Sequence, residues 1–233
     1  MEIMAKYMDA RVRFEVEESG FFEHNFLAKE GFVHRERFTG MYGLVGLADC
    51  VNILLEKEGM EGRFGHTENA SELGVEIMEI IDEFNRNHKS PYCEISDGHY
   101  LLHAQVGIAE DIGVTPGTRI PIGEEPEELI DQLMVMSKFH KYFTSGTGDI
   151  FPIDVTVHKN PDYALDIAKG AFVKDVRYMS FYGNDSDVIR VTGYLAKKSE
   201  IEKLRNGNAV LQDTTTLGLG ATNNAKVLER KVR

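Results

Sequence analysis

The sequence predicts an α/β chain, and three observations carry that prediction. Stretches with apolar residues at helical spacing alternate with short, mostly apolar runs of strand length, which is the pattern of layered helix and sheet. A balance of 42% hydrophobic and 27% charged residues over 233 positions is that of a globular chain with a core of its own. No internal repeat or low-complexity tract points to a solenoid or a disordered tail instead.

The first thirty or so residues place Ile3, Met4, Tyr7 and Met8, then Phe21, Phe22, Phe26 and Leu27, at helical spacing, with a break at Ser19-Gly20. The stretch from Arg37 to Gly46 holds Gly40, Gly43 and Gly46 and reads as a loop brought close to other backbone. It leads into a helix striped by Leu47, Val51, Leu54 and Leu55 that ends near Gly59. A clearer helix spans about Asn69 to Asn87, with Leu73, Ile77, Ile80, Ile81 and Phe84 as its buried face and Pro91 beyond its end.

Tyr100 to Val106 reads as a buried strand. The following loop is punctuated by Gly107, Gly113, Thr115-Pro116-Gly117 and Pro121-Ile122-Gly123, and loops of that length are usually functional or disordered. A helix starts near Pro126 and buries Leu129, Leu133 and Met136; Tyr142 to Phe151 reads as a strand interrupted by glycines. Asn160-Pro161 opens another helix, an N-cap followed by proline at the first helical position, with Ala164, Ile167, Ala168, Phe172 and Val176 as its apolar face. Arg177 to Tyr182 is a further strand and Gly183 to Asp187 a polar turn. Lys198 to Arg205 is a short helix, Asn206-Gly207 a turn, and Thr222 to Arg230 a last amphipathic piece.

Charge and cysteine usage narrow the function. Lysine and arginine number 26 against 38 aspartate and glutamate, a net charge of −12, which disfavours nucleic acid and anionic membranes because both need a basic footprint. No uninterrupted apolar stretch reaches membrane-spanning length, and Met1 to Ala10 lacks the basic and apolar regions of a signal peptide. Cys50 and Cys93 are the two cysteines; neither belongs to a Cys-x-x-Cys pair, so no thiolate metal site is expected and a reducing cytoplasm is. Gly146-Thr-Gly148 lacks the third glycine of a dinucleotide fingerprint, and Gly218-Leu-Gly220 is followed by Asn223 where that glycine would stand. Neither Gly-Lys-Ser/Thr nor His-Glu-x-x-His occurs.

Four polar residues invite roles. His103 and Gln105 share one side of the predicted strand because side chains alternate; they read either as buried groups satisfied by backbone or as substrate contacts facing a lumen. Arg119, in the Pro/Gly loop, could hold an anionic group or make a surface ion pair. Cys50 stands within the apolar stripe region of its helix, where a buried thiol is ordinary.

The segment Asp187-Val-Ile-Arg-Val-Thr-Gly-Tyr-Leu195 is the most informative. Val188 to Val191 makes a strand and Gly193 a turn, which a non-catalytic α/β binding protein would also show. The pentapeptide Arg190-Val-Thr-Gly-Tyr194, forty residues before Arg233, resembles the signature of glycyl radical enzymes. The chemistry needs glycine: a Cα radical is planar and shared with the flanking carbonyl and amide, and a Cβ would crowd that geometry. Phe21 to Gly31, Met41-Tyr-Gly43, Val51 to Gly59, Leu102-His-Ala-Gln105 and Leu228-Glu-Arg230 extend the likeness to the C-terminal portion of the YjjI-type glycyl radical enzymes.

That resemblance implies the C-terminal half of a ten-stranded α/β barrel, residues 1–182, followed by a glycine radical domain, residues 183–233. It implies a radical stored on Gly193, supported by Arg190 and Tyr194, and no bound cofactor. A separate radical-SAM activating enzyme with its own iron–sulfur cluster would generate the radical. It also implies a thiyl cysteine on a finger loop well upstream; Cys50, 143 residues before Gly193, is a candidate placed too close. Family members are more than twice this length, so the upstream half-barrel would be a partner, with a homodimer a further possibility. Without that half, an apolar flank is expected to stand exposed and the chain to be inactive alone. A stand-alone radical carrier and an anaerobic ribonucleotide reductase relative are the other radical readings. The latter is disfavoured by the lack of a Cys-rich zinc module.

Overall fold

The computed structural model describes residues 1–104, 115–121, 123–154, 156–183, 187–191 and 194–208, with backbone alone for His158, 188–191, Tyr194 and Leu195. Gln105, Gly107, Gly113, Gly193 and the expected piece Thr222 to Arg230 lie outside the described residues. The described elements, in order, are α1 (Glu2–Arg13), α2 (Phe21–His24), α3 (Phe26–Lys29), β1 (Met41–Leu44), α4 (Leu47–Lys57), α5 (Glu68–Asn87) and β2 (Leu101–Ala104). After these come α6 (Leu129–Ser137), β3 (Ile150–Ile153), α7 (Thr156–Lys159), α8 (Pro161–Val173), β4 (Ser180–Gly183), β5 (Val188–Val191), β6 (Tyr194–Lys197) and α9 (Lys198–Arg205). The chain divides into two compact units. One is Met1–Gly43 with Glu76–His103; the other is Leu44–Val75 with Ala104–Arg233.

In the first unit, α1 carries Glu2 in its first turn and Arg11 and Arg13 in its last, a placement that suits the helix dipole. A single π turn, Phe14–Glu18, extends it, and Gly20 at φ 67° ends it at the Ser19-Gly20 break the sequence predicts. The Asp9 carboxylate then ties three elements together. Tyr100 Oη donates to Asp9 Oδ1 at 2.6 Å, and His88 Nε2 lies 2.9 Å from the same oxygen. Asn85 donates to the Tyr100 carbonyl at 2.6 Å. Burial, reinforced by the Asp9 charge, pushes the Tyr42 phenol up to about 12 and raises that of Tyr100, whose ring meets Tyr42 edge-on at 5.2 Å. Gly40 permits this packing, since a Cβ there would lie 2.7 Å from the Tyr100 ring. The expected 37–46 loop thus contains a strand: β1 pairs with β2.

One expectation about a buried face is corrected. On α5 the buried positions include Ala70, Ser71, Met78 and Asn85, while Ile80, expected inside, is 61% exposed. A small residue lies on the buried side: a Cβ on Gly74 would lie 2.9 Å from the Phe64 ring and 3.2 Å from that of Phe139, so the aromatics approach the helix at glycine. On α1, Ala5 and Val12 are buried, whereas Ile3, Tyr7 and Phe14, which share another stripe, are 71%, 72% and 50% exposed.

In the second unit, α4 buries Leu47, Ala48, Val51 and Leu55, and both Leu54 and Cys50 turn outward; Cys50 is exposed rather than buried in the stripe. β3 and β4 pair in parallel, Ile150 opposite Ser180 through Ile153 opposite Gly183, and α7 and α8 lie between them in the chain, as in a βαβ unit. Pro161 occupies the first turn of α8, which buries Ile167 and Ala171. Phe172, expected on that face, is a helical step off the Ile167–Ala171 line and is exposed.

β3 starts at Ile150 rather than Tyr142, because residues His140–Tyr142 form a 3-10 turn and Gly146 sits at φ 78°, outside strand geometry. β4 starts at Ser180 rather than Arg177, whose N–H is given to His140 instead of a ladder. β5 and β6 pair antiparallel, Val188 opposite Lys197 through Val191 opposite Tyr194. Among the described residues no helix is long and apolar enough to cross a membrane.

Candidate functional site

The parallel pair gives the second unit a direction. Its amino end holds Ile150 and Ser180, and its carboxyl end holds Ile153 and Gly183. In parallel α/β layers ligands gather at the carboxyl ends of strands, because helices and loops open there. In the chain, β5 begins five positions after Gly183, so the Arg190–Tyr194 segment comes next in sequence after β4. The register sets Val191 against Tyr194 and leaves two residues, Thr192 and Gly193, joining the paired strands. Both lie outside the described residues, as do the side chains of Arg190 and Tyr194.

At the base of the same pair, Asp187 fastens β5 to α9. Its carboxylate accepts from the Ser199 N–H at 3.2 Å and the Ser199 hydroxyl at 2.5 Å, and its carbonyl accepts from Lys198 at 3.0 Å. These bonds to Ser199 hold the Asp187 carboxyl below its ordinary range.

The amino end of the parallel pair is occupied by a buried polar cluster. Asp149, fully buried, receives the Ile150 N–H at 2.8 Å and the Gln132 amide at 3.1 Å. The Arg119 guanidinium, 2% exposed, donates through Nε to the Gly148 carbonyl and sits 3.9 Å from Asp149 Oδ1. The hydroxyls of Thr118 and Thr147 pair at 2.7 Å. Ser180 donates from its amide and hydroxyl to the Asp149 carbonyl, which joins the cluster to β4.

His140 completes it. Its Nδ1 accepts the backbone N–H of Arg177 at 3.0 Å and of Thr147 at 3.4 Å, so the proton of the neutral ring rests on Nε2. Burial, helped by the Arg177 charge, pushes the imidazole from 6.5 down to about 4. The folded form therefore resists protonation. Its contribution is whole above pH 6.5, the unfolded value, and is lost as pH falls through about 4. That difference amounts to on the order of 2–3 kcal/mol. Urea midpoints measured at pH 7 and pH 4.5 should fall by more in the wild type than in His140→Gln.

Gly146 is required beside that ring. At φ 78° it is left-handed, and a Cβ would lie 2.5 Å from His140 Nδ1 and 2.9 Å from Arg177 Cβ. Gly146→Ala should cost about 1–3 kcal/mol in denaturant titration, from backbone strain plus the displaced imidazole.

The residues named from sequence do not converge on one described constellation. Arg119 is drawn into the buried cluster and away from the surface. Cys50 is exposed on α4, in the same unit. His103 is exposed on β2 and belongs to the first unit; Gln105 lies outside the described residues. Asp149, Gln132, His140, Thr118 and Thr147 escaped sequence reading. Their signal was faint: Thr118-Arg119 and Gly146-Thr-Gly-Asp149 are glycine-flanked polar runs beside a strand. Among the described residues no group of three or more His, Cys, Asp or Glu side chains could hold a metal ion.

Known proteins resemble this chain along its whole length. A family model described as "Glycyl radical enzyme YjjI-like" matches residues 1–233. An uncharacterized protein of Haemophilus influenzae is 47% identical over 229 residues, covering 97% of this chain and 44% of its own length. The Escherichia coli "Uncharacterized protein YjjI" is 40% identical over 226 residues, covering 97% of this chain and 43% of its own. The chain thus spans less than half the length of these relatives. Among solved structures, an anaerobic ribonucleotide reductase is similar in fold, with a TM-score of 0.57 at 14% identity over 92% of this chain and 41% of that one. With a match along its whole length and two relatives at 40% identity or more, the chain belongs to the YjjI-like glycyl radical enzyme family.

Proposed function

We propose that this chain carries the radical store of a glycyl radical enzyme, with the unpaired electron on the Cα of Gly193. One observation carries the reading: in a member of this family, the Arg190–Tyr194 pentapeptide falls so that the β5–β6 register leaves Thr192-Gly193 as the joining pair. A separate radical-SAM enzyme would remove one Cα hydrogen atom from Gly193. The resulting radical would take a hydrogen atom from a cysteine thiol, restoring glycine and leaving a thiyl to act on a small-molecule substrate.

The relatives' greater length supports placing that cysteine outside this chain. The exposed stripe of Ile3, Tyr7 and Phe14 supports an apolar partner surface of the kind a remaining half-barrel supplies. The same reading assigns residues 183–233 to the radical-bearing part and 1–182 to half of a ten-stranded barrel, in an enzyme that is cytoplasmic, anaerobic and inactive without its other half. A homodimer is compatible with it. His103 and Gln105 are the proposed substrate contacts. Arg119 enters through the backbone it holds rather than as a substrate ligand, given its burial beside Asp149. Arg190 and Tyr194 support the radical loop, and exposed Cys50 is set aside as the thiyl.

The test is oxygen. A Cα radical reacts with dioxygen and the backbone breaks at that residue, so anaerobically activated chain exposed to air should yield two fragments divided at Gly193 by intact-mass measurement. An unchanged mass after activation and exposure contradicts the assignment.

A further inference from the structure

Asp187 does more than end a turn. Lys197, at the N-cap position of α9, makes no side-chain capping bond, and the first-turn groups of that helix are met from the far end of the hairpin's other strand. Asp187 immediately precedes β5, while Ser199 immediately follows the first residue of α9. The two bonds to Ser199, with the Asp187 carbonyl accepting from Lys198, close the base of the β5–β6 pair. The opposite end is the Thr192-Gly193 connection. A two-stranded pair standing alone is marginal in water, and a slip of one residue would move every side chain to the other face. β5 and β6 form such an isolated two-stranded sheet among the described residues. Ala196 and Ile201 are buried, so β6 and α9 are anchored in their unit, and the Asp187–Ser199 clamp ties the start of β5 to that anchored part.

We infer that Asp187, through Ser199, is a positioning residue: it fixes the register of β5 on β6 and thereby sets which residues join the strands. This rests on Gly193 as the radical site, because the clamp matters to chemistry only if that residue must be presented in one fixed place. A carboxylate suits the task better than an amide, since one oxygen takes the hydroxyl and the other the N–H at the positive end of a helix.

The experiment compares wild type, Asp187→Ala, Ser199→Ala and the conservative Ser199→Thr in the 233-residue chain. Two readouts are taken: amide hydrogen exchange across 188–197 and, after anaerobic treatment with a radical-SAM activating enzyme, radical spins per chain. Asp187→Ala should exchange about fivefold faster there, the size of a lost helix cap, with no change in α4 or α8. It should also accumulate several-fold less radical. Ser199→Thr, which keeps the hydroxyl, should restore both readouts relative to Ser199→Ala. Unchanged exchange in Asp187→Ala overturns the clamp, and faster exchange with undiminished radical overturns its positioning role. Wild type that forms no radical at Gly193 defeats the radical assignment instead, and exchange alone then decides whether the clamp sets the register.

Discussion

Gly193→Ala is expected to abolish the radical completely while leaving the fold intact. The activated wild type should show an organic radical in electron paramagnetic resonance, and the variant none. The physical cause is local. Planar delocalisation at a backbone Cα requires the amide and carbonyl to share one plane, and a methyl group at that carbon crowds the plane. Thermal unfolding and circular dichroism of the variant should match wild type. The substitution adds one methyl group between the paired strands β5 and β6, whose ladder from Val188–Lys197 to Val191–Tyr194 does not include residue 193. A variant that unfolds, or one that keeps a full signal, would each count against Gly193 as a radical site on a strand connection.

Asp149→Ala should be the most destabilising single change in the second unit, at about 3–5 kcal/mol. The aspartate is fully buried, and its removal takes a buried carboxylate away from the Arg119 guanidinium and takes its acceptors away from the Ile150 N–H and the Gln132 amide. Breaking one half of a buried pair costs more than replacing both halves, because the remaining charge stays desolvated. Asp149→Asn should cost less, since an amide oxygen can still accept from Ile150. The double variant Arg119→Met with Asp149→Leu should recover part of the loss. Chemical denaturation of the four proteins checks the order. Equal destabilisation by Asn and Ala would show that accepting the Ile150 N–H is not what Asp149 supplies, and an Asn variant as stable as wild type would show that its charge is not.

Much of the scaffold was legible because local rules and tertiary context agree there. Pro161 starts a helix where the sequence puts it, although Asn160 at the N-cap position makes no side-chain capping bond, and the helix Lys198–Arg205 has the predicted bounds. Gly193 stood out because one chemistry demands glycine inside a recognisable pentapeptide, and the family match along the chain agrees with that likeness. The face of α5 was illegible for a different reason. Periodicity weighs isoleucines above glycine, yet Gly74 is where the Phe64 and Phe139 rings can approach. The polar cluster was hidden by separation: Thr118-Arg119, Gln132, His140 and Thr147 to Asp149 lie on different elements, and each alone reads as a solvated surface residue. Only packing shows that Arg119 is inside and paired, and that His140 spends its acceptor on two backbone amides. Cys50 fell on the wrong side of its helix because the stripe from Leu47 to Leu55 winds away from it.

The most direct measurement is the hyperfine pattern of the activated chain. A spin on a glycine Cα couples to the hydrogen that remains there, so protein grown on ordinary glycine should give a doublet, and protein grown on α-deuterated glycine a collapsed, singlet-like line. Comparison with Gly193→Ala, which should give neither, assigns the line to this residue. A chain that yields no radical under competent activation, or a signal indifferent to both deuteration and substitution, would contradict radical storage at Gly193.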